Sequence, residues 1–537
     1  MEFKFRGNDL RTFKARGRVD KRIRKPERTR AFDARDRERT RAFDARDRTG
    51  RVRKKPATKQ VSSPPAGSSR GFSSVPSGSG LARDLENPAT QISEEVQTHP
   101  VYPVLSYKEL LQSRLRKIAE EWFMTDTKDD FDAVLLVTGV SDDEEEVDKT
   151  IAMHYWLFGF ESPETMILLQ PGGKVTVCAS SKKLKDFFQD LEGPDFRLVQ
   201  SVTPASVEAS TSELKEVVDV LRIGGKSDVV LGFPKRTHKG TFAQVVADAM
   251  QTLVGFRAED CSDGISRMLA KKDDWEVNLT KGSCSFVMSV MNHFQNDVLQ
   301  IVNEQLEVSH ETVCKQIEDT QDDVDTMMKF CSKTGLQSGK LLIEFAYMQN
   351  GQTFAPKLPC AIPTNDHVPM TGTYVLNLTT KYFDYAATVV RTLIVNPSAD
   401  QKEAHSLTVE VVQHVINLLK PGVMFKNIYQ EAKGKVRAAR PDLLPRLVSN
   451  VGNLTGLEVR DSMAQIDENS ERWVEAGNVF VISAGFDAAS TVAGQQPWGV
   501  ALAQTVLVAE SGAAQVLTEW WSPRARACSS KPEWWYD

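Results

Sequence analysis

The chain has 537 residues, 41% of them hydrophobic, which is enough apolar material for folded cores and implies more than one domain. No run of 18 apolar residues offers a membrane span, and the charged N-terminus from Lys4 onward lacks the apolar core of a secretory signal. Seven scattered cysteines with no CxxC pair argue against a disulfide framework and for reduced thiols, and the net charge of −5 hides a division, because residues 1–60 carry 23 Lys+Arg against 9 Asp+Glu, net +14, and the remainder carries net −19.

Residues 1–98 read as a disordered basic arm. Glu27–Arg37 (ERTRAFDARDR) is repeated without change as Glu38–Arg48, a tandem copy too short for a solenoid. Residues 62–80 form a Ser/Gly/Pro linker. Such an arm suits sequence-independent DNA contact or nuclear targeting, or is a solvated tail without a specific role. Its interspersed acidic residues disfavour a mitochondrial transit peptide.

An α/β lobe is expected over 99–270. Its predicted elements are a helix at Tyr107–Phe123, strands at Ala133–Val137, Thr165–Leu169, Val175–Ala179, Phe196–Val202 and Val229–Phe233, and helices near Lys149–Phe158, Ser181–Leu191, Ser212–Leu221 and Thr241–Leu253. The acidic run Ser141–Asp148 reads as a solvated loop, because calcium needs spaced ligands and a central glycine.

Residues 271–512 predict an α+β domain. Asp273 is a good N-cap for one long helix to Leu306, with Val287, Val290, Met291, Phe294, Val298, Ile301 and Val302 as its apolar stripe. A second helix follows Ser309, then a strand at Leu341–Tyr347. The hairpin GTYVLNLTTKYFDYAATVVRTLIVNP follows, with strands at Tyr374–Thr380 and Asp384–Val395 and a turn near Lys381–Phe383. Helices at Asp400–Leu419 and Lys426–Ala439 precede strands at Asn478–Phe486 and Val500–Val508. The stretch 513–537 reads as an irregular tail with Trp520, Trp521, Trp534 and Trp535 and no acidic run, either a truncated reading frame or an aromatic segment that inserts into a partner.

The hairpin resembles the metal-binding hairpin of the creatinase/aminopeptidase P family, the pita-bread fold, which implies a pair of divalent ions held by five ligands. Placed on that pattern residue by residue, the two aspartate positions fall at Asn377 and Thr388. The first histidine position falls at Asn453 in Gly452–Glu458 (GNLTGLE). The two glutamate positions fall at Ser483, after Gly477–Ile482, and at Ala503, before Gln504–Val508. A substrate-binding histidine would fall at Arg460. None of the five ligand positions supplies a carboxylate or an imidazole, and two ions held ~4 Å apart need bridging carboxylates. The expectation is therefore no catalytic residue, no metal and no cofactor. No Gly-x-Ser-x-Gly elbow, phosphate loop or HExxH pairing offers a second chemistry.

A pita-bread domain without these ligands resembles the N-terminal domain of the large subunit of the histone chaperone FACT. His154–Glu161 (HYWLFGFE), Ala179–Phe187, Val390–Pro397, Asn453–Asp461 and Asn478–Phe486 agree with that group in order and spacing over residues 100–512. The resemblance implies a nuclear, chromosomal protein acting on nucleosomes in transcription, replication and repair, with core histones and an HMG-box subunit as partners. The six named positions would then be a vestigial cleft able to contact a histone peptide. Two further readings stay open, an active Xaa-Pro aminopeptidase of the same fold and a nucleic-acid binder working through residues 1–60.

Overall fold

The computed structural model describes residues 107–122, 131–140, 147–191, 196–201, 229–234, 240–252, 254–350, 366–489, 497–518 and 534–535, with isolated positions between 212 and 219. The chain divides into two units, 1–93 and 94–537, and every described residue belongs to the second. The basic arm, the core of the acidic run, most of the helix expected near Ser212 and most of the tail lie outside the described residues.

The first part of unit 94–537 is built on a six-stranded mixed sheet. In chain order its elements are α1 (Tyr107–Glu120), β1 (Ala133–Val137), α2 (Lys149–Phe158), β2 (Met166–Gln170), β3 (Lys174–Ser180), β4 (Phe196–Ser201), β5 (Val229–Phe233), α3 (Thr241–Thr252), β6 (Phe256–Asp260) and α4 (Ser262–Ala270). The strand order is β4-β3-β2-β1-β5-β6. β1 is buried throughout, as its unbroken AVLLV run requires for a strand covered on both faces. Asp148 starts α2 by accepting from the Thr150 and Ile151 amides, and Gly159 ends it at φ +77°. β6 was not expected, for a physical reason: it is an edge strand of polar sequence, FRAED, with no buried residue to leave an alternating signal.

The second part is a nine-stranded antiparallel sheet backed by helices. The helices are α5 (Asp274–Glu304), α6 (His310–Asp319), α7 (Val324–Thr334), α8 (Ala399–Leu418) and α9 (Phe425–Ala439). The strands are β7 (Leu341–Asn350), β8 (Gly372–Tyr382), β9 (Tyr385–Val395), β10 (Asn450–Leu454), β11 (Gln465–Asp467), β12 (Val479–Ala489) and β13 (Trp498–Leu507), ordered β11-β10-β12-β13-β9-β8-β7. Short strands β14 (Gln515–Val516) and β15 (Trp534–Trp535) add to β13 and β9. α7 left no sequence signal because Met327 is its one buried residue.

The long helix begins as its sequence dictates. The Asp273 side chain accepts from the Glu276 amide, and the Glu276 side chain accepts from the Asp273 amide, a capping box. The predicted stripe from Val287 to Val302 is buried. Gly282 has a packing reason: a Cβ there would lie 2.6 Å from Cδ1 of Tyr382. The β8–β9 turn sits one residue later than expected. Tyr382 pairs with Tyr385, and Phe383 and Asp384 form the turn at φ +46° and +66°. Both values are positive, as a two-residue turn of the primed type needs. Neither residue is the glycine or asparagine that would have marked it.

Candidate functional site

The strand register brings the five positions named from the sequence onto one face. Tyr347 pairs with Asn377, Asn377 with Val390, Val390 with Ala503, and Ala503 with Ser483. Directly opposed residues of an antiparallel sheet point to the same side, so these form one row across β7, β8, β9, β13 and β12. Thr388 lies two residues along β9 from Val390. Asn453 opposes Val481, two residues along β12 from Ser483. Alternate residues share a face, so both fall in the next row. Arg460 stands apart, in the turn after β10, donating to Gln465 Oε1 at 2.9 Å.

The row is packed. Asn377 and Ala503 are fully buried, Thr388 and Asn453 nearly so, and Ser483 is half-buried. Val375, Val390, Val481, Ala501 and Ala503 form a hydrophobic cluster between them. Two of the polar side chains bond within the protein. Thr388 Oγ1 lies 2.8 Å from Thr379 Oγ1, and Asn453 Nδ2 donates to the Leu454 carbonyl at 2.9 Å. Among the described residues no group of three or more His, Cys, Asp or Glu side chains is placed to hold a metal ion.

This face also contains the seam where two half-sheets meet. β9 and β13 share one register pair, Val390 with Ala503. On either side a threonine hydroxyl replaces the ladder. Thr392 Oγ1 donates to the Ala501 carbonyl and accepts from the Ala501 amide, at 2.7 and 3.0 Å. Thr505 Oγ1 does the same for Thr388, at 3.0 and 3.1 Å. Each hydroxyl satisfies a buried donor and a buried acceptor that a splayed strand pair would strand. Arg391, also buried, crosses the seam to the Ala503 and Thr518 carbonyls. The Val-Arg-Thr triplet that marks the hairpin in the sequence is thus the closure of the sheet.

Charge is concentrated elsewhere, where α1, α2 and α4 meet α5 and the turn after β10. Arg114 of α1 donates to Asp273 at 2.6 Å and to Glu276 at 3.2 Å. Its guanidinium lies over the Trp156 ring, 4.8 Å from the centroid. Glu276 also accepts from the Tyr385 hydroxyl at 2.9 Å, which ties the turn end of the hairpin to the same cluster. Burial opposes ionisation of Glu276, but Arg114, Lys272 and Lys117 outweigh it and hold its carboxyl below the usual range. Lys272 caps α4 through the Leu269 carbonyl, and burial pushes its ammonium down to about 8. Gly456 lies beside it at φ +155°, a backbone angle that favours glycine, and a Cβ there would lie 2.6 Å from the lysine Cε. Lys149 of α2 pairs with Glu458 and, at 2.7 Å, with Asp461. Burial raises Glu458 to about 7 despite that ammonium. Burial opposes ionisation of Asp461 too, but Lys149 and Ser266 hold it below its ordinary range.

Sequence reasoning named none of these junction residues as a site. Two signals were present: Asp273 and Glu276 have capping-box spacing, and Lys149 opens an otherwise apolar helix, KTIAMHYWLF. Their partners come from sequence separations of 109 to 309 residues, which no local pattern reports.

Residues 107–264 match the model of the FACT complex subunit SPT16 N-terminal lobe domain, and residues 297–510 match that of metallopeptidase family M24. The FACT complex subunit SPT16 of Candida glabrata is 27% identical over 410 residues, covering 72% of this chain and 39% of that protein. That of Saccharomyces cerevisiae is 26% identical over 401 residues, 70% of this chain and 38% of that protein. Among solved structures, the SPT16 N-terminal domain from Eremothecium gossypii superposes with a TM-score of 0.69 at 24% identity, over 78% of this chain and 97% of that one. A prolidase from Thermococcus sibiricus superposes at 0.56 and 17% identity, over 78% and 98%. The expected α/β lobe followed by a pita-bread fold is therefore present. This chain is thus similar to the SPT16 N-terminal lobe over residues 107–264 and to metallopeptidase family M24 over residues 297–510, and it spans about two fifths of the length of the SPT16 relatives it matches.

Proposed function

We propose that this chain is a non-enzymatic chromatin protein, the aminopeptidase-like part of a FACT-type histone chaperone, acting in the nucleus on nucleosomes. The SPT16 relatives support the class. The observation that carries the absence of catalysis is the register row: Asn377, Ala503 and Ser483, with Thr388 and Asn453 beside them, present amides, hydroxyls and a methyl group where a two-metal centre needs carboxylates and imidazole. Those residues do not fit two divalent ions, and no hydrolytic step is derived through them. In this reading the five ligand positions are vestiges of a metal centre, and with Arg460, at the place of a substrate-binding histidine, they form a vestigial cleft. Ser483 and Arg460, which keep some surface, are the two available to a peptide.

Core histones are the proposed ligand of the acidic body, which carries net −19 outside residues 1–60. An HMG-box subunit is the proposed partner, and residues 1–60 are proposed to contact DNA without sequence preference. The proposed division is a basic arm and linker at 1–98, a lobe at 99–270, a pita-bread domain at 271–512 and a tail at 513–537. The test is core-histone binding by the full chain and by a chain lacking residues 1–60. Both should bind at low salt with micromolar affinity, about −8 kcal/mol, and weaken as salt rises. Absence of binding by either chain overturns the chaperone reading. Elemental analysis showing stoichiometric manganese, cobalt or zinc together with Xaa-Pro hydrolysis would favour the aminopeptidase instead, the reading to which the M24 match alone would lead.

A further inference from the structure

Beside the ionic junction lies a cavity of 380 Å³ between the end of α1, α4 and the segment that enters β12. Its walls include Met268 and Phe425, and Trp473, 54% exposed, stands among its lining residues. The Trp122 indole, also lining it, is held by the Phe131 carbonyl at 2.7 Å, so this aromatic wall is fixed.

Two polar groups in the wall lack what their chemistry requires. Arg472 is half-buried, and burial works against its charge. Its hydrogen bonds go to Ser266 Oγ at 2.6 Å and the Met463 carbonyl at 3.3 Å, both neutral acceptors. The neighbouring Arg267, by contrast, is paired with Asp263 at 2.7 Å. Asn478 is 1% exposed. Its Oδ1 accepts from the Glu475 amide at 2.8 Å, which fixes the amide orientation, and its Nδ2 has no partner. A buried donor without an acceptor is left desolvated and uncompensated, and Arg472, although Asp461, Asp263 and Glu475 favour its charge from nearby, directs its hydrogen bonds to neutral acceptors.

We propose that this cavity binds a carboxylate side chain of a peptide, with the adjoining aromatic residue of that peptide against Trp473. A carboxylate satisfies both groups at once, accepting from the planar Arg472 fork and from Asn478 Nδ2. A lysine or arginine side chain would satisfy neither. The exposed indole supplies the apolar contact that a side chain next to the carboxylate would bury. The ligand class is thus an acidic segment with an aromatic residue, opposite in charge to a histone tail. The inference does not rest on the histone reading, and neither fails with the other.

The test uses the full chain and three fluorescein-labelled peptides, Gly-Asp-Phe-Asp-Gly and its counterparts with Asn or Lys in place of Asp, read by anisotropy at moderate salt. The acidic peptide should bind more tightly than either counterpart. Arg472→Met and Asn478→Asp should each weaken it about tenfold, the loss expected for a charged hydrogen bond. Asn478→Asp keeps the bond to the Glu475 amide while removing the donor. Trp473→Ala, at an exposed position where folding is not at risk, should weaken it as well. The basic residues 1–60 also attract an acidic peptide, but that contribution is untouched by the three substitutions. Equal binding by parent and variants overturns the proposal, as does equal or tighter binding of the Asn or Lys peptide, or no binding of the acidic one.

Discussion

On the pita-bread face, Asn377, Val390, Ala503 and Ser483 stand side by side with no charge among them, and threonine hydroxyls close the seam between the half-sheets. At the lobe junction, Arg114, Lys149, Asp273, Glu276, Glu458 and Asp461 form buried or half-buried ion pairs. Both regions bury polar groups and hydrogen-bond many of them within the protein. The neutral region does so between adjacent strands, with hydroxyls that donate and accept to one residue across the gap. The charged region does so between elements far apart in sequence. A hydroxyl lost at the seam unpairs one neutral amide and one neutral carbonyl, whereas a charge lost at the junction leaves its partner uncompensated in low dielectric. The comparison teaches that the ionisable groups of this domain hold its parts together, while the face that carries Asn377, Ala503 and Ser483 is occupied by packing.

The largest expected effect comes from breaking the charged side. Glu276→Gln removes the carboxylate that Arg114 and Tyr385 share and should cost about 3–5 kcal/mol, read as a lowered urea midpoint of the full chain. A loss below that of a seam variant would reverse the ordering of the two regions. On the neutral side, Thr505→Val should cost about 2 kcal/mol because the Thr388 amide and carbonyl lose their shared partner. Thr505→Ser, which keeps the hydroxyl, should recover most of it. If Val and Ser behave alike, the hydroxyl does not close the seam.

A smaller effect sharpens the comparison by pH. The folded carboxyl of Glu458 titrates at about 7, above its ordinary 4.5, so the folded state holds a proton that the unfolded chain has released between those values. This group's contribution therefore falls as pH rises from about 4.5 to about 7. Glu458→Gln should flatten that slope by about 1 kcal/mol, measured as urea midpoints at pH 5 and pH 6. An unchanged slope would show that Glu458 is ionised beside Lys149 throughout. The smallest effect is expected at the surface. Arg440 bridges Asp400, Glu403 and Asp442 between α8 and α9 in contact with solvent. Arg440→Ala should cost under about 1 kcal/mol, and a larger loss would remove burial as the reason the junction matters.

Much of this could be read without coordinates. The Asp273 cap, the apolar stripe of α5, the β-branched hairpin and the order of strands and helices are local patterns set by backbone geometry and side-chain periodicity. Asn377, Thr388, Asn453, Ser483 and Ala503 were named as a set by the resemblance to the creatinase/aminopeptidase P pattern, and the strand register puts them on one face. Tertiary structure alone decided the rest. It bent the hairpin at Phe383-Asp384 against turn preference, where the Phe383 amide is bound by the Lys340 carbonyl at 3.0 Å. It turned Thr392 and Thr505 from ordinary strand residues into the closure of a seam. It brought Arg114 to Glu276 and Lys149 to Asp461 across the folded body, and it left Arg472 and Asn478 in one cavity wall. Burial and pairing between distant segments depend on packing in three dimensions, and a one-dimensional pattern carries no trace of which charge will meet which.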